Sequence, residues 1–307
     1  MNFDKNLLIG SGISSFIYFL NSQKKIQILT SNKDEIVKSN NFYEYDIIGG
    51  NTNIWGGYIN YKRHKKFLKN RKYKKIFQSN ILKVNKIFSQ NSRFSNTYCI
   101  IGKDNKIFRL DKKMFKKKLN EKKIRKIIIK KKIIELISSE NKSLFTDKAT
   151  LCIGNLSLLK LMHDSDLIKP NDTISFEDGS CNYVLNLFID QKKNYYIPMP
   201  LRFIIEKLLL NKSDAYQTLK DTFILQKFSR SITKHQISCI DLLNMKKTKI
   251  RYFISNHIAN LRINNIPIRK FIHQKSKRID VYCSGTVKKY LPGPIVQDLI
   301  FDIINNK

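Results

Sequence analysis

Leu7 to Phe16, LLIGSGISSF, constrains this chain more than any other stretch. Three apolar residues run into Gly10-Ser11-Gly12, and Ile13 to Leu20 continues with apolar residues at helical spacing. The order predicts a strand, a tight turn and a helix. Gly10 can adopt the positive φ such a turn needs, and Gly12 carries no Cβ to hold a pyrophosphate away from the helix N-terminus. Ser15 stands where a dinucleotide fingerprint G-x-G-x-x-G has its third glycine. An ordinary strand-to-helix turn is the competing reading.

The next residues extend the pattern. Lys25 to Thr30, KIQILT, alternates as a strand and completes a β-α-β unit after a helix ending near Asn21-Ser22. The end of such a second strand normally offers a carboxylate to ribose hydroxyls. Here Thr30 or Ser31 occupies that position, with Asp34 and Glu35 a few residues on. A second glycine-rich stretch, Ile47 to Tyr58, IIGGNTNIWGGY, holds the single tryptophan between two glycine pairs. Its composition suits backbone wrapped around a flat ligand.

Taken together, G-x-G-x-x-[GS] followed by G-G-x-[ST]-x-x-W-G-G resembles the flavin-dependent glucose-methanol-choline oxidoreductases. The resemblance implies FAD as cofactor, with Gly10, Gly12, Ser14 and Ser15 at the pyrophosphate and Thr30 at the ribose. It implies that Gly49, Gly50, Asn51, Thr52, Asn53, Trp55, Gly56 and Gly57 line the flavin.

Further along, Lys126 to Glu135 and Ser143 to Ile153 read as strands, with a turn at Glu140-Asn141 and a glycine turn at Gly154 before a leucine-rich helix. By resemblance, Ile128 lies near the adenine and Gly154 opens the returning nucleotide-domain helix. At the C-terminal end, Val281 to Cys283 reads as a strand, Ser284-Gly285-Thr286 as a turn, and Pro292-Gly293-Pro294 as the opening of a last helix. The resemblance places Gly285 near the pyrophosphate or ribityl chain, and Gly293, Pro294 and Ile295 at the pyrimidine edge of the flavin.

The expected fold class is α/β: a Rossmann-like FAD/NAD(P)-binding domain with a smaller α+β substrate domain inserted in it. Residues 1–166 form its first part, with a basic insertion at about 60–120. Residues 167–265 form the cap, where Asp172 to Ile189 reads as strand-rich and Leu201 to Leu210 as amphipathic, and 266–307 return to the nucleotide domain.

For alcohol oxidation the chemistry needs a base near neutral pKa, which imidazole supplies. By resemblance, His257, in SNHIANL, is the better-placed candidate for the family's first histidine, without the glycines that follow it there, while the partner position falls near Pro294, which cannot exchange a proton. His273, among basic neighbours, is the fallback. No metal site is expected, since no zinc-type spacing occurs and the five cysteines are scattered. The sequence shows no H-E-x-x-H, no P-loop and no nucleophile elbow.

The formal charge of +34 is concentrated in Lys62 to Lys75 and Lys112 to Lys132, within a chain rich throughout in Lys, Asn and Ile. An AT-rich coding sequence would give that bias whatever the protein does. A solvated face, an anionic substrate, an anionic membrane surface and nucleic acid are the candidate explanations, nucleic acid being the weaker. No apolar run reaches the ~20 residues of a membrane span and no signal-peptide layout is visible, so a cytoplasmic protein is expected. The expected function is FAD-dependent oxidation of an alcohol or sugar-derived substrate, lipid-linked or phosphorylated. The alternatives are a catalytically degenerate flavin-fold binding or assembly protein and a basic nucleic-acid-binding protein.

Overall fold

The computed structural model describes residues 4–22, 26–31, 36–39, 42–45, 48–50, 58–78, 84–86, 98–103, 106–107, 110–115, 118–178, 183–188, 215–218, 222–227, 232–244, 258–288 and 296–306. The opening stretch folds as its pattern predicts. Strand β1 (Asp4–Ile9) turns through Gly10 into helix α1 (Ile13–Asn21), and β2 (Gln27–Thr30) comes after it, parallel to β1. After short strands at Ile36–Ser39, Phe42–Tyr45 and Tyr58–Asn60 comes a helical hairpin, α2 (Tyr61–Phe67) and α3 (Arg71–Gln78). Beyond it lie β3 (Leu119–Glu121), β4 (Ile124–Ile129), β5 (Ile134–Ser138), β6 (Ser143–Leu151) and helix α4 (Asn155–Asp164).

The remainder includes β7 (Thr173–Asp178), β8 (Thr233–Ser238), α5 (Cys239–Asn244), β9 (Ile258–Ile263), β10 (Ile266–Pro267), α6 (Ile268–Lys275), β11 (Ile279–Val281) and α7 (Val296–Asn305), besides a three-stranded antiparallel sheet of Tyr183–Phe188, Thr222–Lys227 and Ala215–Thr218. Five strands form a parallel run in the order β3-β2-β1-β6-β11. The first half of β6 also pairs antiparallel with β5, and β5 with β4, so a three-stranded meander grows from the sheet. The chain between β6 and β11 carries a separate antiparallel sheet, β8-β7-β9-β10.

A parallel sheet must be covered on both faces, and the alternation of side chains along β1 shows how. Leu8 and Ile28 point to a cluster with Phe16 and Ile17 of α1, Tyr73 and Phe77 of α3, and Ile300 and Ile303 of α7. Leu7, Ile9, Leu29 and Leu151 point the other way, to Leu158 and Leu159 of α4, Ile272 of α6 and Ile174 of β7. Leu8, Ile17 and Ile28 are fully buried, so truncating any one to alanine costs about 2–5 kcal/mol.

One local expectation is corrected. Lys126 to Glu135 is not one strand: a turn closed by Lys130 N–H donating to Ile133 O separates β4 from β5. The strand beside β2, β3, is not read from the sequence: it sits inside the basic segment and its short apolar signal is masked by lysines. Among the described residues, no helix is long and apolar enough to cross a membrane.

Candidate functional site at the carboxyl ends of the parallel strands

All five parallel strands end at one edge, and the glycine turns collect there. Gly10 has φ +108°, and its N–H donates to Leu29 O at 2.8 Å. A Cβ at this position would stand 2.3 Å from Cys152 O, while Cys152 N–H donates to Ile9 O at 2.8 Å. The turn is thus wedged between the ends of β2 and β6, where only glycine fits. Gly12 caps α1 in extended conformation without a side chain, and the first turn of the helix holds no acidic residue. The partial positive charge of that helix end is not cancelled by a carboxylate of its own.

Ser15 differs from its expected role. It is fully buried, and its hydroxyl donates to Gly10 O at 2.7 Å. The hydroxyl that replaces the third glycine therefore braces the turn from within, and Ser15 is not aimed at a pyrophosphate. Ser14, on the same first turn, is also buried.

Thr30 likewise turns inward. Its hydroxyl lies 2.7 Å from Ser11 Oγ and donates to Ser31 O at 3.2 Å, while Gly49 N–H donates to Ser11 Oγ at 3.2 Å. One of the two hydroxyls donates to the other, giving a relay that runs through Gly49 N–H, Ser11, Thr30 and Ser31 O. The relay pins Gly49 and Gly50, both at positive φ (91° and 52°), beside the Gly10 turn. Ser11 is a residue that the glycine fingerprint does not single out; a hydroxyl between the two glycines is its only signal in the sequence.

On the other side of β1, Gly154 caps α4 directly after β6. Gly285 comes after β11 in the single turn Ser284–Thr286, but the space left by its missing side chain is already filled. A Cβ there would meet Asn155 Oδ1 and Leu261 Cβ, each at 2.7 Å. Asn155 accepts from Gly285 N–H at 2.9 Å and donates to Ser284 Oγ at 2.7 Å. Gly285 therefore joins β11 to α4 and β9, and the expected ligand contact gives way to packing.

Ile128 is not brought to this edge. It pairs with Glu135, which pairs with Phe145, so it sits six residues below Leu151, about 20 Å along the strands at ~3.3 Å per residue. The element that does end beside β2 is β3, with Glu121 in register with Thr30.

His273 is exposed near the end of α6, which leads into the start of β11, so it lies at the opposite end of the strands. Asn51, Thr52, Asn53, Trp55, Gly56, Gly57, His257, Gly293, Pro294 and Ile295 lie outside the described residues. Among the described residues no group of metal-ligating side chains converges, and Cys152, Cys239 and Cys283 are buried free thiols. Two further histidines belong to packing. His64 is buried against Tyr73 and Phe77, and burial lowers its pKa to about 4. His235 stacks on Phe176, and burial lowers its pKa as well.

No protein-family model matches this chain, and no curated protein matches it in sequence. Among solved structures it is similar to pyridoxine 4-oxidase from Mesorbium loti, with TM-score 0.50 at 8% identity over 99% of this chain and 98% of that one. CtdE in complex with FAD gives TM-score 0.43 at 10% identity, over 99% of this chain and 82% of that chain. With its 3-2-1-4-5 parallel order, meander and β-α-β glycine turn, the chain has a Rossmann-like α/β fold of the FAD/NAD(P)-binding type.

Proposed function

We propose that this chain is an FAD-dependent oxidoreductase of the glucose-methanol-choline type, acting on an alcohol or sugar-derived substrate. The observation that carries the reading is the Gly10 turn. It is held at positive φ under the Cys152 carbonyl and delivers an α1 N-terminus without a side-chain cap or an acidic first turn. Those features fit a pyrophosphate, which is anionic and needs close approach to backbone N–H groups. Gly10, Gly12 and Ser14 would hold it, with Gly49 and Gly50 fixed alongside by Ser11.

FAD, when bound, supplies a ring that accepts hydride from a carbon bearing a hydroxyl. In this reading His257 takes the hydroxyl proton, and Trp55 with its flanking glycines lines the flavin. Residues 1–166 and 266–307 make the cofactor domain and 167–265 the cap. The hairpin of α2 and α3 exposes Lys66, Lys69, Arg71, Lys72, Lys74 and Lys75 and carries no acid, which favours an anionic substrate, phosphorylated or lipid-linked, near a membrane surface.

The test is anaerobic reduction of the bound flavin by a panel of alcohols and phosphorylated sugars, monitored at the flavin absorbance band. Bleaching in the native protein that slows at least ~100-fold in His257→Ala supports the reading. Bleaching unaffected by the substitution removes His257 from it. A flavin that no member of the panel reduces supports a second reading, a flavin-fold binding or assembly subunit. That reading is favoured by Pro294, which stands where the family's partner histidine or asparagine is expected.

A further inference from the structure

We infer that the hairpin of α2 and α3 is a docking face for an anionic phospholipid bilayer, held there by charge alone and without insertion of apolar side chains. The inference names the partner for the hairpin charge noted above, and it stands whether or not the chain holds FAD.

Composition does not account for this face. A coding bias toward lysine adds cations but does not remove acids, and the chain has 24 Asp and Glu, none of which lies between Ile47 and Lys103. In the meander of β4, β5 and β6, by contrast, lysines have acidic partners: Lys126 pairs with Asp166, Lys130 with Glu135, Lys142 with Glu140 and Lys148 with Asp280. On the hairpin Lys66, Lys69, Arg71, Lys72, Lys74 and Lys75 are exposed, and among the described residues none of the six pairs with an acid.

The face is also preformed. α2 lies along α7 through the ion pair of Arg63 with Asp298, the stack of Phe67 on Phe301 at 4.0 Å, and Asn70 Nδ2 donating to Asn305 Oδ1 at 2.8 Å. Asn70 Oδ1 accepts from Lys72 N–H at 3.0 Å and Tyr73 N–H at 3.1 Å, which caps α3. Tyr73, Ile76 and Phe77 turn inward, so the four cations of α3 share one arc of about 160° at ~100° per residue. Charges already held in place lose little freedom when they dock.

The arrangement fits a charged sheet better than a nucleic acid. A single strand stacks its bases on exposed rings, and the rings here, Phe67, Tyr73 and Phe77, pack on one another and on Phe301. A duplex takes an element that projects into a groove, whereas both helices are laid against α7. Lysine, which supplies all but one of the six charges, meets headgroup phosphates as a point charge in any orientation. Each adds a modest, screened increment, so binding is firm at low salt and lost at high salt.

The experiment is co-sedimentation of the full chain with phosphatidylcholine vesicles, with and without about 30% phosphatidylglycerol, at low and physiological salt. It compares the native protein with Lys66→Gln/Lys72→Gln/Lys74→Gln/Lys75→Gln, and with a control that removes the same charge from other exposed positions, Lys131→Gln/Lys132→Gln/Lys160→Gln/Lys277→Gln. All eight side chains are on the surface, and circular dichroism checks that both variants keep the native fold. We expect the native protein to bind only the anionic vesicles, the hairpin variant to bind them at least about ten-fold more weakly, and the control to change by less than about two-fold.

Equal weakening in the two variants overturns the inference, as does equal binding with and without phosphatidylglycerol. Native protein that binds nucleic acid through the hairpin while ignoring anionic vesicles overturns it too. Flavin retention is scored on the same samples: protein without flavin that still shows hairpin-dependent vesicle binding removes the FAD reading and supports this one, and flavin-loaded protein that ignores the vesicles does the reverse.

Discussion

Two glycine turns close strands at the same edge of one sheet, one at Gly10 after β1 and one at Gly285 after β11, with β6 between them, and they do different work. Gly10 needs glycine for two reasons, a φ of +108° and the Cys152 carbonyl 2.3 Å from any Cβ, and beyond it α1 begins with its N-terminus uncapped by a side chain. Gly285 needs glycine only for space, and that space holds Asn155 and Leu261. A glycine after a strand marks a close approach of some kind. Whether the neighbour is a ligand or the protein itself is decided by the group the turn presents, a helix N-terminus in one case and a backbone N–H already taken by Asn155 in the other.

The largest effect that would sharpen the contrast is Gly10→Ala. Positive φ and a backbone clash act together, so denaturant unfolding should show a loss of about 3 kcal/mol or more, together with loss of FAD binding. Gly285→Ala comes next. It should destabilise by about 1–3 kcal/mol through displaced Asn155 and Leu261 while leaving the FAD Kd of the folded fraction unchanged. An FAD affinity that falls as far in Gly285→Ala as in Gly10→Ala would break the comparison.

Ser11→Ala is a smaller perturbation at the first turn. It strips Gly49 N–H and the Thr30 hydroxyl of their shared partner, costing about 1–2 kcal/mol in unfolding experiments and weakening FAD with it. The smallest effect lies away from both turns. His64 falls from 6.5 to about 4 through burial, so the unfolded chain holds the extra proton between these values. This contribution is fully present above pH 6.5 and is lost as pH falls toward 4, with a slope of at most ~1.4 kcal/mol per pH unit. Unfolding measured across that window should flatten in His64→Phe, while FAD binding at pH 7 stays as in the native protein.

The opening β-α-β unit could be read in the sequence because its signals are local. Leu7 to Ile9, the Gly10 turn and the apolar run from Ile13 specify strand, turn and helix within a few residues, and Asn141 with φ 62° sits where the turn at Glu140-Asn141 was expected. What escaped depends on partners distant in sequence. β3 has three residues, one of them apolar, and is a strand because β2 offers it an edge. The lysines at 130–132 hide the turn between β4 and β5.

In the site the residue types were legible but their directions were not. Ser15 and Thr30 look like ligand hydroxyls until Gly10 O and Ser11 are found to occupy them. Gly285 looks like a ligand glycine until Asn155, 130 positions earlier in the chain, is found against it. Ile128 matches a strand pattern, and only the register shows which end of the sheet it serves.

The central claim is that the carboxyl edge of the parallel sheet holds FAD. It is tested most directly by incubating purified protein with excess FAD, desalting it, and recording the flavin spectrum against protein concentration. The account predicts an equimolar amount of retained FAD in the native protein and none in Gly10→Ala. Native protein that emerges without flavin absorbance would contradict it.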